Sequence, residues 1–140
     1  MKILIAGSRS IKGYSFFIQT VNNALATYCS SVLDIEEIIS GGGKGVNTMI
    51  TKFCGENNIK NIIVLPQWEQ YGKSAESIRN KKMIDMLNTE DIIVIIWDGI
   101  SKGTQHILDL VKKKKLNVYL KIQPSHNQSN VMDEFEGIYR

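Results

Sequence analysis

One lysine sits among four glycines at positions 41–45, Gly41-Gly42-Gly43-Lys44-Gly45. Glycine lets main-chain N–H groups come close to an anion, and a lysine ammonium adds a mobile charge. A helix starting at Val46 would add the partial positive charge of its N-terminus. The run is not a P-loop, because Gly43-Lys44 is followed by Gly45 and not by Ser or Thr. Nor is it a dinucleotide fingerprint, because Val46 stands where the third glycine belongs. Two readings stay open: a turn that binds phosphate or carboxylate, or merely a tight strand-to-helix turn.

Other residues suit the same chemistry. Gly7-Ser8-Arg9 offers main-chain donors, a hydroxyl and a guanidinium fork suited to a bidentate phosphate contact; a solvated arginine is the alternative. Ser101 and Gly103 resemble a second anion-binding turn, and Thr104 either caps the helix that follows or meets a ligand oxygen. Arg79 and Asn80 lie one turn before Met83 and Ile84, on the side of a helix expected to face inward. Polar groups there need partners, either a ligand or an internal ion pair. Within Trp97-Asp98-Gly99, Asp98 could orient ribose hydroxyls, act as acid or base, or simply make an Asp-Gly turn. Trp68 and Tyr71 could stack on a base or pack a long loop. His106 and His126 have no partner at metal-ligand spacing, so neither a metal nor a cofactor is expected.

Something must hold these loops together. Short apolar runs at residues 3–6, 36–40, 61–65, 91–97 and 116–120 read as five strands, the fourth the most apolar. Between them lie helical patterns: Tyr14, Phe17, Ile18, Val21, Leu25 and Tyr28; then Val46, Met49, Ile50, Phe53 and Cys54, stopped by Gly55 and Asn57-Asn58. Residues 74–87 and the stripe Thr104, Ile107, Leu108, Val111 complete the alternation. Continuous rather than alternating apolar strands point to burial on both faces. Right-handed crossovers then give an α/β fold, a doubly wound parallel sheet of about five strands; the expected order is 3-2-1-4-5. Ligands bind such sheets beyond the carboxyl ends of the strands, and the loops named above follow strands one, two, three and four.

The chain has 140 residues, which fits one domain at roughly 150 residues each. A net charge of +3 is too mild for a duplex-DNA protein. No apolar run approaches the ~20 residues that span a bilayer, and no leader is evident, so a cytoplasmic location without membrane partners is expected. Cys29 and Cys54 read as small buried hydrophobes. The lysines at 112–115 suit a helix C-terminus and a solvated face. Residues 123–140 read as a polar loop and an undetermined tail, outside a domain at 1–122.

Five motifs in order carry a resemblance over residues 1 to about 121: Ile5-Ala6-Gly7-Ser8-Arg9, Ser40-Gly41-Gly42 with Lys44-Gly45-Val46-Asn47, Trp68 with Tyr71-Gly72-Lys73, Ile78-Arg79-Asn80 with Met83, and Trp97-Asp98-Gly99 with Ser101-Lys102-Gly103-Thr104. Together they resemble the small stand-alone YspA-like branch of the SLOG superfamily, named for Smf/DprA and LOG proteins. The resemblance implies a Rossmann-like domain that binds nucleotides or nucleotide-derived signals. It adds Asn47, Lys73, Trp97 and Gly99 to the expected ligand-binding residues, beside Trp68 and Tyr71. Similar domains include LOG phosphoribohydrolases, which cut the N-glycosidic bond of nucleoside monophosphates. Others are proposed sensors of ADP-ribose derivatives linked to anti-phage immunity, and DprA binds single-stranded DNA. Two departures matter. The LOG catalytic Glu corresponds to Ile107 here, although the helix arginine matches Arg79; and Asn47 stands where the branch often has Asp.

Three functions follow as expectations. The first is a protein that binds a small phosphate-bearing nucleotide derivative, as a sensor or as a sponge of an immune signal in a phage or mobile element. The second is a nucleotide N-glycosidase using Asp98 and Arg79. The third, and least favoured, is single-stranded nucleic-acid binding, which needs a basic track with stacking aromatics. A homo-oligomer, dimer or higher, is expected from the resemblance.

Overall fold

The inner strands form where isoleucine and valine crowd together, because β-branched side chains fit a pleated surface buried on both sides; the edge strand at residues 60–63 has no fully buried residue. In this computed structural model, which describes residues 1–124 and 137–138, the strands are β1 (Lys2–Gly7), β2 (Glu37–Ser40), β3 (Lys60–Ile63), β4 (Ile92–Trp97) and β5 (Asn117–Ile122). All five pair in parallel, in the order β3-β2-β1-β4-β5. A two-residue strand β6 (Gly137–Ile138) adds antiparallel to the outer side of β5, within the tail left undetermined from sequence. His126 lies outside the described residues.

Helices cover both faces, as a doubly wound sheet requires. On one face, α1 (Tyr14–Thr27) sets Phe17, Val21, Ala24 and Leu25, and α2 (Val46–Asn57) sets Ile50 and Phe53, against Ile3, Ile5, Ile38, Ile92, Val94 and Ile96. On the other, α4 (Ala75–Asp85) brings Met83 and Ile84, and α5 (Lys102–Lys112) brings Ile107, Leu108 and Val111, against Leu4, Ala6, Ile39, Ile93 and Ile95. The central strand β4 thus sends alternate side chains into two cores, and residues 92–96 are all buried. Strand β5 alternates instead. Val118, Leu120 and Ile122 are buried against the α4/α5 side, while the residues between are only partly covered.

Three local expectations are corrected. Gly55 does not stop α2; the helix runs to Asn57, and Asn58 ends it in the left-handed conformation, with the Ile59 N–H reaching Cys54 O at 3.0 Å. Cys29 is exposed, because it takes the positive-φ position that closes α1; only Cys54 is buried, and burial pushes its thiol pKa up. Residues 68–71, with a 3-10 turn at Gly72–Ser74 after them, are not wholly loop: Trp68–Tyr71 form a single helical turn, α3. No helix among the described residues is long and apolar enough to cross a membrane.

The chain winds outward from β1 to β3 by α1 and α2, then crosses to the other face by α4 to reach β4. The reversal leaves the ends of β1 and β4 side by side with their following loops diverging, where doubly wound sheets hold ligands.

Candidate functional site

A cleft of about 700 Å³ opens at that reversal. Its floor is the carboxyl ends of β1 and β2, with Asp98 just past β4; its walls are the loops that follow these strands, the residues after β3, and the inner side of α4. This volume suits a nucleotide-sized ligand.

Ser8 ties the floor together. Its N–H donates to Ile96 O at 3.0 Å, and its buried hydroxyl accepts from the Asp98 N–H at 3.0 Å. Thr104 Oγ1 lies 3.4 Å from the same hydroxyl, so the first turn of α5 is pinned to the end of β1. Gly7 lets α2 come equally close from its side: a Cβ there would overlap Val46 Cγ2 at the start of that helix.

Two helix N-termini, α2 and α5, therefore meet at one cleft. Among the described residues, no side chain caps either of them. The first N–H groups of a helix have no intrahelical acceptor, so both ends present donors and partial positive charge. Gly103 and Thr104 line the cleft from α5, Asn47 from α2. Ser40 Oγ donates to Asn47 Oδ1 at 3.2 Å, which leaves the Asn47 amide nitrogen without a hydrogen-bond acceptor among the described residues. Arg9 and Lys44 line the cleft too, both exposed and neither paired among the described residues.

Arg79 has another role. Its Nη1 donates to Gly41 O at 2.5 Å and reaches Val64 O at 3.4 Å, while Nε donates to Asn80 Oδ1 at 2.8 Å. Asn80, fully buried, has its Nδ2 3.2 Å from His106 Nδ1. With Asn80 Oδ1 accepting from Arg79, Nδ2 is the donor and His106 Nδ1 the acceptor. Burial pulls the Arg79 pKa below its ordinary value, with Glu76 offsetting part of the effect. The guanidinium thus clamps the glycine loop from behind, and Gly41 must be glycine for it: a Cβ would lie 2.5 Å from Nη1. Gly45 is equally constrained, with φ +76° and a would-be Cβ 2.7 Å from Arg9 O. Much of the glycine run thus answers to sterics, whereas a Cβ at Gly43 would meet nothing within 4 Å.

Asp98 makes the turn, and its acceptors are engaged. Oδ1 accepts from the Ile100 and Ser101 N–H groups at 2.9 and 2.8 Å; Oδ2 accepts from Ser101 Oγ at 2.6 Å and Ser10 Oγ at 3.1 Å. Burial works against the charge, yet the four hydrogen bonds together outweigh it and hold the carboxyl below the ordinary aspartate range.

Most of the expected set comes together: Gly7, Ser8, Arg9, Gly41, Gly42, Gly43, Lys44, Asn47, Trp68, Arg79, Asn80, Asp98, Ser101, Gly103 and Thr104 all line the cleft. Five do not. Gly45 lies beneath the Arg9 carbonyl. Trp97 turns its Nε1 to Ser101 O at 3.0 Å and braces the loop from outside. Gly99, at φ +89°, only reverses the chain. Tyr71 and Lys73 sit a turn or more beyond Trp68 and are exposed elsewhere. Glu76 and Leu65 line the cleft and were not anticipated. The available signal for Glu76 was its place three residues before Arg79, which puts both on one side of α4.

Among the described residues, no three His, Cys, Asp or Glu side chains gather as a metal site would require. Comparison with family models, curated proteins and solved structures finds no match to this chain.

Proposed function

We propose that the cleft holds a small phosphate-bearing, nucleotide-derived ligand, and that the protein senses or sequesters it rather than cutting it. One observation carries the reading: two helix N-termini and two cations, Arg9 and Lys44, converge on a single cleft at the sheet reversal, the helices uncapped by side chains and the cations unpaired among the described residues. A phosphate accepts from all of them. Trp68, half exposed at the rim beside Leu65, offers a base a stacking surface.

Two features favour holding over hydrolysis. Asp98 has both oxygens engaged in its own turn, and Arg79 is bound to main-chain carbonyls. Asp98 is thus not free to stabilise an oxocarbenium-like sugar, nor Arg79 to hold the phosphate. The SLOG resemblance supports the ligand class, and a role as sponge of an immune signal belongs to the same proposal. So does self-association, which sedimentation velocity would test.

Equilibrium dialysis against nucleoside monophosphates, ADP-ribose and its cyclic isomers, followed by chromatography of the retained fraction, tests the main reading. A ligand retained and recovered whole is the expected result. Free base with sugar phosphate would replace binding by glycoside hydrolysis, and retention of none of the panel would overturn the ligand class.

A further inference from the structure

An anion cleft loses affinity by placing a carboxylate inside it. Two carboxylates line this one. Asp98 accounts for itself by four hydrogen bonds within its turn. Glu76 does not. It makes no hydrogen bond among the described residues, and its one polar partner is Arg79 Nη2, at 3.9 Å. That is beyond hydrogen-bond reach. The other guanidinium nitrogens are already committed to Gly41 O, Val64 O and Asn80 Oδ1, so Arg79 does not depend on Glu76 for its position.

The carboxylate stands over the first turn of α5: a Cβ added at Gly103 would overlap Glu76 Oε1. A carboxylate without a hydrogen bond among the described residues thus lines the cleft beside donors meant for an anion, with its side chain 41% exposed. A ligand group that would satisfy it must donate hydrogen bonds and must lie next to a phosphate. The vicinal hydroxyls of a ribose do both, with two O–H donors spaced for two carboxylate oxygens.

Resting on the reading above, we propose that Glu76 is the residue that selects a ribose diol: it accepts hydrogen bonds from neighbouring sugar hydroxyls and rejects ligands that carry phosphate but lack them. The ligand class narrows to ribonucleotide derivatives with a free 2′,3′-diol.

The test uses three probes, AMP, 2′,3′-dideoxy-AMP and inorganic phosphate, on the whole protein and on Glu76→Gln. Calorimetric or dialysis affinities are compared, with a thermal melt to show that the half-exposed substitution leaves the fold intact. The wild type should prefer AMP to the dideoxy form. Glu76→Gln should weaken AMP by about tenfold, since hydrogen bonds to a charged group are lost, and tighten inorganic phosphate by roughly a few fold, since a like charge is gone. The opposite signs identify the role. Tightening of both probes would reduce Glu76 to a repulsive charge, and weakening of both would reduce it to a support for the cleft; either outcome overturns the inference. So does a wild type that binds no AMP, whatever the wider panel shows. If the wild type binds AMP and the variant does not change its preference over the dideoxy form, this inference falls while the ligand class above stands.

Discussion

The loops after β2 and after β4 both deliver a helix N-terminus to the cleft, yet they are held in opposite ways. Residues 98–101 are organised from within, by one carboxylate that collects four donors from its own and the neighbouring loop. Residues 41–45 hold no such hub. Their shape comes from absent side chains and from Arg79, which reaches across 38 positions of sequence to grip Gly41 O. One loop carries its own keystone; the other is clamped by a distant helix. Stability should therefore depend more on the first, and ligand affinity more on the second.

The largest effect is expected from Asp98→Ala. It strands two main-chain N–H groups and two hydroxyls, and urea unfolding should show a loss of about 3 kcal/mol. Asp98→Asn should cost less and reveal the charge. Because the folded carboxyl titrates below its unfolded value, its contribution is complete above the unfolded value and is lost as pH falls through the folded one. The stability gap between wild type and Asp98→Asn should stay constant from pH 7 to about 5 and shrink below about 4. A gap that widens on acidification would refute the assigned cause.

Arg79→Met comes next. It removes the clamp but also a largely buried cation, so unfolding should show only about 1–2 kcal/mol of loss. Phosphate-ligand affinity should fall at least about tenfold. Arg79→Lys should not restore it, because an ammonium lacks the fork that reaches Gly41 O and Asn80 together. Equal losses of stability and affinity in the two arginine variants would erase the contrast between the loops.

Smaller still is Gly45→Ala, at about 1–2 kcal/mol, from a positive φ and a close approach to Arg9 O. Gly43→Ala should lie within about 0.5 kcal/mol of wild type, since its Cβ enters open space. Melting curves of the pair separate a steric glycine from a permissive one.

The same contrast explains what the sequence disclosed. The central strands and both cores followed from runs such as Ile92-Ile93-Val94-Ile95-Ile96, because burial on both faces leaves no room for polar residues. The loop with its own hub was half legible: Asp98-Gly99 announced a turn, although not that the turn would engage both carboxylate oxygens. The clamped loop was legible as an anion candidate but not in its mechanics. Nothing local to residues 41–45 names Arg79 as their partner. Glu76 escaped because a carboxylate on a polar helix reads as solvated; only the packing of α4 against α5 brings it over Gly103. The turn α3 and the strand β6 are too short to show a period at all.

The Ser8–Thr104 contact joins residues 96 positions apart. A cleft closed by such a contact comes into being late in folding, after β4 and α5 have docked, because long-range parallel pairing must first overcome its loop-closure entropy. A chain in which β4 and α5 have not yet docked has no such cleft. A molecule bound there should therefore act kinetically as a brake: stopped-flow traces should show slower unfolding in its presence and an unchanged refolding rate.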